Sequence, residues 1–465
     1  MSSVQARHPP PLRTQAFEER AATGGDLLRR HAEAGGDRRL AALRFDPSDA
    51  ALRLWDFLLT EEDRLREARQ RGWKLVGAMK DLGTVPVMAF ALPRTAAFYP
   101  DGAWWTPCLM EGRDRLFAAA ESLGVDASFC PVRAMLGAFV TRDRFPLPDL
   151  LVCSVGAVCD DFSAIAQRVA AMGHPILWWE MPFRRAPERG ETAVTLPGGA
   201  RAPAGLVDIV RMELARVRDA LADLAGARLD GARLARAIRC ANAIRRQVRA
   251  LRACVFRAPL APLPALELQI AEMLLPHFCS DRDAAARVIA DLLREARRRV
   301  RAGQGFGAAG DARLFWVNPV ADLRAMALLD ACGGRLCGTD FLFTHALDPI
   351  PETLPPLEAL ARSALADPMV GPADQRARRI AREMRRLGAE ALVISRIPGA
   401  SHCAHEGSRI AEIVHRGLDV PVVEIEVPSV LDPVAPALRT RLEALVETVR
   451  ARRPSAARPR SRRTP

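Results

Sequence analysis

Of 465 residues only one is Tyr, and only Lys74 and Lys80 are Lys, so the 67 basic residues are nearly all Arg. Grooves that hold single-stranded nucleic acid interleave aromatic rings with cations, and this chain lacks that mixture, so nucleic acid is not an expected partner. No run approaches the roughly 18 apolar residues that a membrane-spanning helix needs. The start, Met1 to Pro10, has no apolar signal core, and the reading is a cytoplasmic protein with no membrane partner. Among ten Cys there is no CxxC pair, which argues against a closed zinc ribbon or a thioredoxin-type redox motif. There is no GxxxxGK[ST] phosphate loop and no short-period repeat, so neither a P-loop nucleotide site nor a solenoid is expected.

What is present is the balance of an ordinary globular chain, with 49% hydrophobic and 26% charged residues. The net charge of +12 is concentrated at the end, where Arg450 to Arg463 carries seven Arg and no acid. That composition reads as a disordered basic tail, 451–465. Residues 1–70 read as a helical or partly disordered lead-in. From Trp73 short apolar runs alternate with amphipathic segments, and Lys74 to Met79 and Val85 to Phe90 look like buried strands. The clearest unit is strand Pro148 to Ser154, helix Asp161 to Met172 closed by Gly173, and strand Pro175 to Glu180, a βαβ unit of a parallel sheet. Residues 205–308 read as consecutive helices. Alternation then resumes, with strands at Leu314 to Val317, Arg335 to Thr339, Ala391 to Ser395 and Pro421 to Val427. Helices are expected at Ala321 to Ala331, Gln375 to Leu387, Glu406 to Arg416 and Ala435 to Arg450. The expected fold is α/β: two doubly wound Rossmann-like parallel-sheet domains, 71–204 and 309–450, with the helical insert between them.

Ligands of open parallel sheets gather where loops leave the carboxyl ends of strands. Three cysteines fall in such loops: Cys159 after strand 148–154, Cys403 after strand 391–395, and Cys130 before Pro131, which suits the first position of a helix. Together they would place three thiolates in a cleft between the domains and leave a fourth coordination position open, as a substrate-binding iron–sulfur cluster requires. The alternative is that each is a small core residue. Cys153 flanks the same strand end as Cys159 and is the other candidate there, although its place within the strand suits a core role. Cys108, Cys240, Cys254, Cys332 and Cys337 read as core or packing residues, and Cys279 as core or capping. Asp160 and Asp161 can cap the helix after Cys159. His402 and His405 are acid–base candidates, since imidazole titrates near neutrality, or one of them caps the next helix with Glu406. His345 is a weaker candidate for the same cleft. The pairs Trp104–Trp105 and Trp178–Trp179 either line an acyl pocket or pack strand ends.

Five stretches, taken in order, carry a resemblance: Cys130-Pro131-Val132-Arg133-Ala134-Met135-Leu136-Gly137; Pro148 to Val152 leading to Cys159-Asp160; Gly333-Gly334-Arg335-Leu336-Cys337-Gly338-Thr339-Asp340; Ala391 to Ile394 leading to Cys403; and Val420 to Glu426 with Arg439 to Ala444. Leu234 to Ile238 with Asn242 and Arg245 adds a central helical piece. The set resembles the cluster-bearing subunits of the 2-hydroxyacyl-CoA dehydratase and benzoyl-CoA reductase family, over roughly residues 74–450. The resemblance implies a [4Fe-4S] cluster on Cys130, Cys159 and Cys403, a related second subunit, and a separate ATP-dependent iron–sulfur activator protein. It further implies one-electron reduction of an acyl-CoA or aromatic acyl-CoA thioester to a ketyl radical, the cofactor carrying the chemistry. Dehydration (lyase) and ring reduction (oxidoreductase) fit equally. In place of the family's Gly-rich strand with Pro-Glu and Ala-Ala-Gly stands Thr84 to Pro93, so no substrate contact carries over from there. The other reading is a non-catalytic partner or scaffold subunit of such a complex.

Overall fold

The computed structural model describes residues 46–79, 83–103, 113–157, 159–277, 280–401 and 405–453. Two four-stranded, all-parallel sheets organise them. The first contains β1 (Lys74–Met79), β2 (Thr95–Phe98), β3 (Leu150–Gly156) and β4 (Ile176–Met181), in the order β2-β1-β3-β4. A short antiparallel hairpin follows, β5 (Ala193–Thr195) with β6 (Arg201–Pro203). The second sheet contains β7 (Ala312–Val317), β8 (Gly334–Asp340), β9 (Ala391–Arg396) and β10 (Val422–Glu426), in the order β10-β9-β7-β8. Both sheets therefore have one topology: the first strand is flanked by the second and third, and the fourth lies outside the third. In both, the direction of winding changes between first and third strands, which is where ligand crevices form. β1, β7 and β9 are almost wholly buried because helices cover both faces, and this explains their continuous apolar runs. The α/β class with two Rossmann-like sheets is therefore as expected.

The fifteen described α-helices follow in chain order. α1 (Asp49–Leu59) and α2 (Glu61–Gln70) form the described part of the lead-in, and Ser48 caps α1 through its side chain. α1 docks on α9 (Ala265–His277) and α10 (Arg282–Arg301), which makes it part of the helical body. Val85 to Phe90, expected as a strand, is instead the short helix α3 (Val85–Ala89), with Pro86 in its first turn. A five-residue apolar run carries no period that separates the two states, and Pro cannot donate to a central ladder. α4 (Arg113–Glu121) and α5 (Ala134–Thr141) pack together so closely that a Cβ on Gly137 would lie 2.0 Å from the Leu116 carbonyl oxygen. α6 (Asp160–Ala171) crosses from β3 to β4. α7 (Ala204–Ala225), α8 (Gly231–Arg257), α9 and α10 are the expected consecutive helices.

In the second half, α11 (Ala325–Ala331), α13 (Ala373–Leu387), α14 (Gly407–Leu418) and α15 (Ala435–Arg452) match expected helices. α14 runs through Gly417, past the expected end at Arg416, and is closed by Asp419, left-handed at φ 47°. One element was not foreseen: α12 (Pro356–Leu365) packs on α7 and joins the apolar cluster on the first sheet's outer face. α15 runs beyond the expected Arg450, and Arg453 is anchored by Glu390 at 2.7 Å, so the start of the basic tail is ordered structure. The rest of the tail lies outside the described residues. No helix among them is long and apolar enough to cross a membrane.

Candidate functional site

Loops from both sheets meet at the carboxyl ends of their strands. Cys130 occupies the N-cap position of a 3-10 turn, Pro131–Arg133, which runs into α5. Cys159 is the N-cap residue of α6, and the 3-10 turn after Cys130 packs against that helix. Neither cysteine uses its side chain as a cap. The expected cap from Asp160 or Asp161 is not made either, because these are already the first residues of α6. Asp161 instead faces across the site: its Oδ2 accepts the Ser401 backbone N–H at 3.0 Å and lies 3.5 Å from the Cys159 thiol. One buried carboxylate thus ties the loop after β3 to the loop after β9.

A second tie is steric. Gly399 has φ +78°, and a Cβ there would sit 2.7 Å from the Ser128 carbonyl oxygen and 2.8 Å from the Phe129 carbonyl carbon. The loop after β9 therefore lies flush on the two residues that precede Cys130. Phe129 in turn accepts a hydrogen bond from Arg133 Nη1 at 3.0 Å, and the Arg133 guanidinium lies over the Phe117 ring at 4.3 Å. Arg133 is buried and its guanidinium charge also acts on Cys130; burial lowers its own pKa. A neighbouring cation favours the thiolate, the form that ligates metal.

The loop after β9 is held from its far side by Arg376 on α13. This fully buried guanidinium reaches Asp340 at the end of β8 (2.9 Å), Asn318 after β7 (2.9 Å) and Glu406 at the start of α14 (2.7 Å). Glu406 is thus spent on Arg376 rather than on capping, as had been the alternative.

Of the expected site residues, the structure brings Cys130 and Cys159 to neighbouring loops, and Ser401 reaches them. His402 and Cys403 lie outside the described residues. So do Cys108, Cys279, Trp104 and Trp105. His405 is exposed, beside Glu406. His345 lies on the 3-10 turn after β8, its Nε2 2.7 Å from the Ser363 carbonyl oxygen. Cys153 is buried within β3, Cys332 is buried, and burial pushes the Cys337 thiol up to about 12. Cys240 and Cys254, expected as core, are only half-buried on α8. Trp179 is buried in β4. The sequence reading missed Asp161 as a bridge, Gly399 as a contact and Arg376 as a brace. Gly399 had one signal, a glycine between Pro398 and Ala400 in a strand-end loop. Arg376 had none in a chain so rich in arginine.

Two buried polar atoms at this junction have no hydrogen-bond partner among the described residues: Arg133 Nε, on the turn after Cys130, and Ser401 Oγ, two residues before Cys403 in sequence. Buried donors without a partner call for a missing acceptor. The donor set of thiols, with N–H and O–H groups around them, fits an iron–sulfur cluster, whose sulfides accept such bonds.

The fold and the junction define a two-sheet α/β subunit whose strand-end loops carry cysteines. The chain belongs to the 2-hydroxyglutaryl-CoA dehydratase D-component family, whose model matches residues 87–449, and it is a 2-hydroxyacyl-CoA dehydratase-type subunit. As a D-component it implies a partner component in a multi-subunit complex. No curated protein matches the chain.

Proposed function

We propose that this chain is the iron–sulfur subunit of a 2-hydroxyacyl-CoA dehydratase or benzoyl-CoA reductase-type enzyme, with Cys130, Cys159 and Cys403 holding a [4Fe-4S] cluster. The observation that carries the reading is the double tie between the loop leading to Cys403 and the loops of the other two cysteines, through Gly399 and through Ser401 with Asp161. The loops that carry Cys130 and Cys159 lie against Gly399 and Ser401 of the loop that leads to Cys403. Such a cluster, when bound, supplies one low-potential electron to a CoA thioester carbonyl. On this reading the electron comes from a separate ATP-dependent activator, and the lack of a GxxxxGK[ST] phosphate loop in this sequence fits ATP use in another protein.

The chain's own residues hold and tune. Asp161 fixes the loop after β9 against α6. Arg133 Nε and Ser401 Oγ, without a partner among the described residues, are the donors that would favour added negative charge there on this reading. His402 and His405 stand beside Cys403 in sequence and are the proton carriers of this reading.

Anaerobic purification followed by iron, acid-labile sulfide and visible absorption tests it. Roughly four irons and four sulfides per chain are expected, with broad absorption that is lost in Cys159→Ser and Cys403→Ser while circular dichroism is kept. Unchanged iron in those variants would remove the ligand assignment. A folded, iron-free chain that still associates with a second cluster protein would point to a scaffold subunit.

A further inference from the structure

α7 buries Val207, Val210, Leu214, Val217 and Leu221 along one side, and the period of the helix sets Met212 diametrically opposite them. Met212 is 55% exposed, and Ile209, one turn earlier, is 38% exposed. The Glu180 backbone N–H bonds to Glu213 and the Arg216 guanidinium reaches the Trp178 carbonyl, so β4 runs antiparallel to α7. Exposed Phe183, just past the end of β4, therefore falls level with the turn of Ile209. Large apolar side chains grouped on a surface mark a contact with another protein.

The charges around Met212 are ordered. Asp208 and Arg211 precede it, Glu213 and Arg216 follow it, and each sign is reversed at the same distance on the other side. Two copies of α7 laid antiparallel about a two-fold axis at Met212 would set Asp208 of each copy opposite Arg216 of the other. Ile209 of each copy would face Ala215 of the other, a small residue that leaves room for it. Within the chain the charges pair along the helix, Arg211 with Asp208 at 3.3 Å and Arg216 with Glu213 at 2.7 Å. Surface pairs of this kind contribute little, so exchanging them for pairs between copies costs little.

α7 is also a face on which two strongly basic chains can approach. The chain carries +12 and α8 has eight Arg and no acid, whereas α7 has three Arg and four acids. We propose that two copies of this chain associate through α7, antiparallel about a two-fold axis at Met212. This contact is separate from the pairing with a second component that the family implies.

Sedimentation velocity of the full chain over a concentration series tests it. A single helix pair is a small interface, so reversible dimers with a Kd of about 1–50 μM are expected. Met212→Glu sets two like charges on the axis and should raise the Kd about tenfold or more. Val300→Glu, at an exposed apolar site on α10, should leave it within about twofold. Met212→Ala, which adds no charge, serves as the second variant should the glutamate perturb folding, and circular dichroism checks both. Asp208→Arg and Arg216→Asp should each weaken the dimer, and D208R/R216D should recover most of the loss. The two positions lie more than two turns apart on one helix, so they cannot meet within a chain and the recovery reads contact between copies. A chain that is monomeric at about 100 μM, a dimer that ignores Met212→Glu, or a double variant no better than either single one would overturn the proposal. A monomeric chain that uses Met212 only to bind a second component would overturn it too and assign the face to that component.

Discussion

The two sheets share one strand order, yet their carboxyl ends are finished by different physics. In the second sheet a buried cation does the work: Arg376 gathers Asp340, Asn318 and Glu406 from the ends of three different strand–loop units. In the first sheet the cysteine loops are set by backbone contact and by the single carboxylate of Asp161. A salt-bridged end is chemically occupied, since all three guanidinium nitrogens of Arg376 already have a partner. An end set by packing commits no guanidinium to a carboxylate beside its cysteines. The comparison teaches that one half braces the site and the other keeps it open.

The largest test is to remove the brace. Arg376→Ala strands Asp340 and Glu406 next to each other without a cation, and breaking a buried pair in this way typically costs about 3–5 kcal/mol. Urea unfolding should show that loss, with the loop leading to Cys403 loosened because Glu406 is released. A cost below about 1 kcal/mol would mean that the second sheet's end does not depend on its charge network.

The next test strikes the contact between halves. Gly399→Ala would place a methyl group against the Ser128 and Phe129 backbone and hold a non-glycine residue at φ +78°. The left-handed conformation alone costs about 1–2 kcal/mol, and the displaced loop should bring the total to about 2–3 kcal/mol. Gly226→Ala isolates the conformational part. Gly226 ends α7 at φ +60° with nothing within 4 Å of the added Cβ. If the two variants lose equal stability by thermal or urea unfolding, the contact across the sheets is not tight.

Much of this was legible in the sequence because the period and length of an element are local properties. β3, α6 and β4 were placed within about two residues, and so were β9 and β10, since a buried parallel strand is an apolar run with a helix signal on either side. Val85 to Ala89 reads as a strand yet forms a helix, because five apolar residues have no period to detect and Pro86 cannot donate to a ladder. α12 was missed for another reason: it lies in the second half by sequence and packs on the first, and long-range docking leaves no local trace. At the site, the strand-end position of the cysteines was readable. Which polar residue would bridge them was not, because an Asp in the first turn of a helix looks like a cap in any sequence. That Asp161 instead spans a sequence separation of 240 residues is a property of the fold.

The remaining test concerns a buried carboxylate that, unlike Asp340 and Glu406, has no cation bonded to it among the described residues. Glu267 on α9 accepts the Asp46 backbone N–H at 2.9 Å and Trp55 Nε1 at 3.2 Å, while its Oε2 has no partner among the described residues. Burial pushes its pKa up to about 7, with the charge of Asp46 adding to the rise. A raised carboxyl pKa means that the folded chain holds a proton that the unfolded chain has released. The contribution to stability is therefore complete below the ordinary value of 4.5 and is lost as pH rises through about 7. Asp330, also raised to about 7 by burial, adds a slope of the same sign. Glu267→Gln keeps an acceptor for Asp46 and Trp55 and cannot ionise, so its stability should fall less between pH 5 and pH 8. The difference between variant and wild type over that range should be roughly 2–3 kcal/mol in urea unfolding. Identical pH profiles would mean that Glu267 finds compensation when charged, and the contrast with the Arg376-bound carboxylates would then reduce to geometry rather than charge.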